Sequence, residues 1–160
     1  MSTHLVWFRS DLRTLDNPAL YAATAEGKVT ALFLLTPEQW QQHGIAAKKI
    51  SFLLRSVDCL SENLANLGIA TRIVTGSCFN DAAEKVVSVA QEIGASRVFW
   101  NNEIALDEQR RDNQVQKALT ANGIEVRRTE AATSLPVGAV RKPDGMPYSV
   151  FTPYKKRWIS

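Results

Sequence analysis

Asp107 and Glu108 stand side by side at the head of a polar stretch that reads as helix from Asp107 to Ala121. From spacing alone, acids in a first helical turn complement the helix dipole, and Asp is a favoured N-cap. Asp107–Arg111 and Glu108–Asp112 are also spaced to place charges along one face. His43 lies in a polar segment beside Trp40 and reads either as an exposed surface histidine or as a ligand contact. The third polar group is the run Arg9-Ser10-Asp11-Leu12-Arg13-Thr14-Leu15-Asp16. Its two arginines could meet a phosphate, but internal pairing with Asp11 and Asp16, fixing the loop, is the better reading. The run contains no glycine, which counts against a Rossmann dinucleotide fingerprint or a P-loop, since both need glycine for close backbone approach. His4 and His43 form no triad with a nucleophile, and His4 reads as a cap on the first strand. Cys59 and Cys78 stand in no metal or redox spacing and read as core thiols. No catalytic residue and no metal site is assigned.

The elements that must position these groups alternate along the chain. Leu5-Val6-Trp7-Phe8 is an apolar run and predicts a buried, central strand. Asn17-Pro18 is a helix start, with Asn as N-cap and Pro at the first helical position, and the helix ends near Gly27. Strands follow at Val29–Leu35, Ile69–Thr75, Arg97–Trp100 and Ile124–Arg128. Between them lie an amphipathic helix over Ala46–Leu67, with Gly68 just past its end, and helices over Phe79–Ile93 and Asp107–Ala121. Glu38–Gly44 reads as polar and irregular, and 101–106 as a loop. The Phe79–Ile93 helix predicts a face of Ala83, Val86, Val87, Ala90 and Ile93. Five strands alternating with helices, without hairpin signals, predict an α/β fold: a Rossmann-like, doubly wound, five-stranded parallel sheet. In such sheets ligands bind at the carboxyl ends of the strands.

Past Thr129 the alternation fails. Pro136, Pro143, Pro147 and Pro153 punctuate the last quarter, a turn is predicted around Pro143–Gly145, and a helix begins near Pro153. The expected division is an α/β domain over 1–130 and a Pro-rich C-terminal segment of the same domain over 131–160. Residues 141–160 hold five basic residues and one acid, net +4, leaving 14 basic and 15 acidic residues before them, net −1. A neutral body with one basic end reads as a solvated face or linker, not a nucleic-acid surface. No stretch approaches the ~20 apolar residues of a membrane span, and Met1 leads directly into a strand with no secretory signal. A cytoplasmic monomer with no membrane partner is expected.

Three blocks carry a family resemblance. Trp7-Phe8-Arg9-x-Asp11-Leu12-Arg13-x-x-Asp16-Asn17-x-Ala19-Leu20 defines ten of fourteen positions. Val98-Phe99-Trp100-Asn101 then precedes Asp107-Glu108-x-x-Arg111-Asp112, and Tyr148-Ser149-Val150-Phe151-Thr152-Pro153-Tyr154-Lys155-x-x-Trp158 closes the chain. In this order they resemble the DNA photolyase/cryptochrome family, most of all the N-terminal antenna domain of bacterial deoxyribodipyrimidine (CPD) photolyases with a folate antenna. The resemblance implies a light-harvesting domain. Its longer parent would split cyclobutane pyrimidine dimers in DNA by light-driven electron transfer from reduced FAD. It implies that FAD and damaged DNA are held by a helical domain beyond Ser160, that this chain is a trimmed piece of that parent, and that alone it is inactive. It also implies that Asp107, Glu108 and His43 contact the pterin of 5,10-methenyltetrahydrofolate, with Asp107 standing where Asn is usual in folate binders. The Glu108 carboxylate suits the amino-pyrimidinone edge of a pterin, from which it can accept two parallel hydrogen bonds. With the flavin domain absent, a pterin at this edge is expected to meet one wall and to bind weakly or not at all. The rival readings are a cryptochrome-like photoreceptor and a standalone nucleotide-binding domain.

Overall fold

A computed structural model describes residues 2–160. The elements run β1 (Thr3–Phe8), α1 (Pro18–Glu26), β2 (Lys28–Leu35), α2 (Pro37–Gln42), α3 (Ala47–Asn66), β3 (Ala70–Thr75), a 3-10 turn (Phe79–Asp81), α4 (Ala82–Glu92), β4 (Ala95–Asn101), α5 (Leu106–Ala121), β5 (Glu125–Thr129) and α6 (Phe151–Ile159). The five strands form one parallel sheet in the order β3-β2-β1-β4-β5, with β1 at its centre as its unbroken apolar run predicts.

Side-chain alternation along β1 divides the core. Val6 and Phe8 face one way, packing with Ala31, Phe33 and Phe99 under α1 (Ala19, Leu20, Ala23) and α3 (Val57, Leu60, Leu64). Leu5 and Trp7 face the other, with Leu32, Val98 and Trp100 under α4 (Val86, Val89, Ala90) and α5 (Val115, Leu119). Leu5 to Phe8 are all buried, so β1 must be apolar on both faces. The Asn17 side chain caps α1 by accepting from the Leu20 N–H at 3.1 Å, and Pro18 sits at its start. Gly68 follows α3 with φ 75°, the left-handed conformation that only glycine adopts without strain.

Several local expectations are corrected. Residues 38–42, read as irregular, belong to helix α2. Pro37 presets its first turn, and the Ser77 carbonyl, distant in sequence, accepts the N–H groups of Glu38 and Gln39 at 3.1 and 3.3 Å. His4 does not cap β1. It is buried inside it, edge-on to Phe99 at 5.4 Å, with its ring nitrogens 3.3 Å from the hydroxyls of Ser2 and Ser96. Neither cysteine is in the core: Cys59 is exposed and Cys78 half-buried. The buried face of α4 is Ala82, Val86, Val89 and Ala90, with Ala83, Val87 and Ile93 at its margin.

From 130 to 150 the chain has no regular element; the predicted turn closes from the Gly145 N–H to the Lys142 carbonyl at 2.9 Å. α6 is exposed along its whole length and carries Phe151, Tyr154 and Trp158 on one side. No helix among the described residues is long and apolar enough to cross a membrane.

Candidate functional site: a cleft at the carboxyl edge

The strand order reverses on either side of β1, and at that point the carboxyl edge opens into a cleft of about 680 Å³. Trp7 and Phe33 line it from the sheet, Trp40 from α2, Phe52 and Leu53 from α3, and Phe79 from the turn before α4. The amino-terminal half of α3 makes this space. The buried residues of α3 are Val57, Leu60 and Leu64, whereas the turns before them reach the core only through the partly buried Leu53 and leave Phe52 exposed. His43 and the adjacent pair Asp107 and Glu108, more than sixty residues further along the chain, all border the same cleft. The expectation of a single wall is corrected to this extent: β1, β2, α2, α3 and the starts of α4 and α5 all contribute to the lining, while the cleft stays open on one side.

His43 is exposed at the end of α2, and its Nε2 lies 2.7 Å from the Gln39 amide nitrogen. Asp107 does not cap α5: Ala105 occupies the N-cap position, and Asp107 and Glu108 sit in the first turn. Asp107 pairs with Arg110 at 3.1 Å, one position short of the predicted Arg111. Glu108 is half-buried and has no ion pair among the described residues, which leaves its carboxylate able to accept from a ligand.

Arg111 and Asp112 instead point inward, into a charge cluster beneath the cleft. The Asp112 carboxylate is wholly buried and accepts from Arg111 at 2.8 and 3.0 Å and from Arg9 at 3.4 Å. Glu103 accepts from Arg111 at 2.6 Å and from the Ser10 hydroxyl at 2.5 Å. Burial pushes the Arg9 guanidinium down from its ordinary value, against the opposing pull of Asp112. Its Nε and Nη1 find no acceptor among the described residues, but the guanidinium lies over the Trp7 ring at 4.5 Å, and Arg111 lies 4.9 Å from the same ring. The expected pairing of Arg9 and Arg13 with Asp11 and Asp16 is therefore wrong. Asp11 accepts from the Arg9 backbone N–H at 3.0 Å and from the Asn101 amide at 2.5 Å, and Arg13 donates to the backbone carbonyls of Asp16 and Ala131.

Asn101 is the residue that sequence reasoning passed over. It ends β4, is buried, and donates to Asp11 and to the Asn17 side chain (2.8 Å). It accepts from the Ala19 N–H at 3.2 Å and the Thr129 hydroxyl at 2.7 Å. One amide thereby ties β4, the β1–α1 loop, α1 and β5 together at the carboxyl edge of the sheet. Its signal was there to read, a polar residue directly after Val98-Phe99-Trp100, but its partners are all remote in sequence.

Glu103 carries a pH prediction. Burial raises its carboxyl, yet hydrogen bonds from Ser10 and Arg111 and the charges of Arg9 and Arg111 hold it below the ordinary range. A depressed folded value contributes stability above the unfolded value of about 4.3 and loses it as pH falls through the folded value. Glu103→Gln is therefore expected to be less stable than the parent at neutral pH, by on the order of 1–3 kcal/mol, with the gap closing on acidification. Urea unfolding at neutral and acid pH measures it, and a gap independent of pH would remove Glu103 as the titrating group.

The fold is an α/β domain of the doubly wound class with a cleft at its topological switch point. The chain belongs to the DNA photolyase family, whose model matches residues 4–160 and to whose N-terminal domain it corresponds. It is 38% identical over 157 residues to the deoxyribodipyrimidine photo-lyase of Vibrio cholerae, covering 98% of this chain and 34% of that protein. Among solved structures it resembles a cryptochrome from Synechocystis (TM-score 0.78, 27% identity, 98% of this chain and 33% of that one). It also resembles a class III photolyase from Agrobacterium tumefaciens (TM-score 0.76, 26% identity, 99% and 32%). The chain thus spans about a third of the length of each of these relatives.

Proposed function

We propose that this chain is the light-harvesting domain of a deoxyribodipyrimidine photo-lyase, and that the cleft holds the pterin of 5,10-methenyltetrahydrofolate. The observation that carries this reading is that His43, Asp107 and Glu108 border one aromatic-lined cleft of about 680 Å³, within the ~300–1,000 Å³ typical of small-molecule sites. The donor set fits the group. Glu108 supplies a carboxylate for the amino-pyrimidinone edge, and Trp40, Phe79 and Phe52 supply apolar surface for a flat ring. When bound, the folate absorbs near-ultraviolet or blue light. This chain's part is to orient it and to exclude water from its ring. In the longer parent, FAD and the flipped dimer would sit in a separate helical domain, with 1–130 as the antenna domain and 131–160 leading away from it. That parent is read as a cytoplasmic monomer.

The test is a fluorescence titration of this chain with methenyltetrahydrofolate beside Glu108→Gln. With several walls in place, saturable binding by the chain alone is the expectation. The Gln variant should bind about 10–100-fold more weakly, the size of a lost charge-assisted pair. Equal binding by both proteins would take Glu108 out of the site. The likeness to the Synechocystis cryptochrome supports a second reading, a photoreceptor in place of a repair enzyme. A dimer-repair assay on the longer protein separates the two.

A further inference from the structure

We infer that Gln39 is the positioning residue of this cleft, fixing which nitrogen of His43 carries the proton and so what His43 can recognise. The inference rests on the proposed chromophore site for its ligand, but not for its geometry. The argument starts at Phe79. Its backbone N–H can only donate, and it meets the Gln39 side chain at 3.4 Å, so the Gln39 atom there is the amide oxygen Oε1. The other end of the same amide, Nε2, can only donate, and it lies 2.7 Å from His43 Nε2. His43 Nε2 must therefore accept, and the neutral ring carries its hydrogen on Nδ1.

Gln39 is itself held from two sides. Its backbone N–H and that of Glu38 both donate to the Ser77 carbonyl, anchoring α2 to the loop before α4. Gln39, His43 and Phe79 all line the cleft. One amide thus links two parts of the wall and passes the polarity of a fixed backbone N–H on to an imidazole. In consequence the His43 nitrogen left for a ligand is a donor, Nδ1–H, on a residue that lines the cleft, while Glu108, lining the same cleft, brings an acceptor. The cleft then selects a flat ligand with a donor edge for Glu108 and a carbonyl, carboxylate or ring nitrogen for His43.

Gln39→Glu tests this with almost no change in shape. A carboxylate still accepts the Phe79 N–H, but its second oxygen now requires a donor, which draws the imidazole proton to Nε2. The readout is the ¹⁵N spectrum of His43 in alkaline buffer, where a free imidazole is neutral. The parent chain should show a protonated Nδ1 and a bare Nε2, and Gln39→Glu the reverse. Gln39→Leu, which presents neither group, should show the mixture of an unconstrained ring. A protonated Nε2 in the parent, or identical spectra for parent and Gln39→Glu, would overturn the inference. Methenyltetrahydrofolate titration in the same buffer reads the consequence: binding to Gln39→Glu should fall about tenfold, one hydrogen bond replaced by an acceptor–acceptor contact. Unchanged affinity despite a moved proton would overturn Gln39's role in recognition. If no variant binds folate while the spectra follow the expected pattern, the chromophore reading fails and the positioning of His43 stands.

Discussion

Asp112→Ala is expected to cost about 3–5 kcal/mol of folding stability, the size of breaking a buried ion pair. The carboxylate is wholly buried and is the shared partner of Arg9 and Arg111, both themselves buried. Removing it leaves two guanidiniums facing each other, with Glu103 and the more distant Asp11 to balance them. Arginine does not shed its proton at neutral pH, so the charge cannot be escaped by titration. Asp112→Asn keeps the shape and one acceptor, and its loss should be smaller. Urea unfolding measures both, and a loss below about 1 kcal/mol for the alanine variant would mean that water reaches the cluster. Because the Arg9 and Arg111 guanidiniums also lie against the Trp7 ring, the same variant should loosen the cleft floor.

Trp100→Ala is expected to cost a similar amount, about 3–5 kcal/mol, by a different route. Trp100 is fully buried on β4 and meets Trp7 edge-to-face at 5.7 Å. Alanine would leave a cavity that the strands around it, held in a parallel ladder, cannot collapse to fill. Trp7, itself buried, would lose its support from behind at a point where it lines the cleft, so affinity for the proposed folate should fall along with stability. Trp100→Phe provides the contrast. The Trp100 indole N–H is buried without an acceptor among the described residues, so phenylalanine removes an unpaired donor along with some ring volume. Its cost should be well under that of alanine. Thermal and urea unfolding of the two variants decide the matter; equal losses would show that ring packing is not what Trp100 supplies.

Much of this molecule was determined by short-range patterning alone. The apolar run of β1, the Asn17-Pro18 start of α1, the spacing of Val57, Leu60 and Leu64, and the glycine after α3 each act within a few residues. They led directly to five parallel strands with β1 in the middle. The three sequence blocks also led to the family, and the resemblance in turn pointed to His43, which lies outside the blocks, and to Asp107 and Glu108 as the residues to examine. What local pattern could not decide is which charges meet. Arg9, Asp11, Arg13 and Asp16 are neighbours in sequence and were paired on that basis. The loop instead turns the Arg9 side chain inward, to carboxylates some hundred residues away on α5 and before it. Burial is the reason: a guanidinium drawn beneath the cleft must take whatever carboxylate is buried beside it, and Asp112 is. The same holds for α2, whose first turn is capped by Ser77, and for His43, whose proton is placed by Gln39 through the Phe79 N–H. Hydrophobic periodicity is written in the chain because each element must bury one face, whereas the pairing of polar groups exists only once the elements have met. The cleft belongs to that second kind, since its lining is drawn from β1, β2, α2, α3 and the starts of α4 and α5.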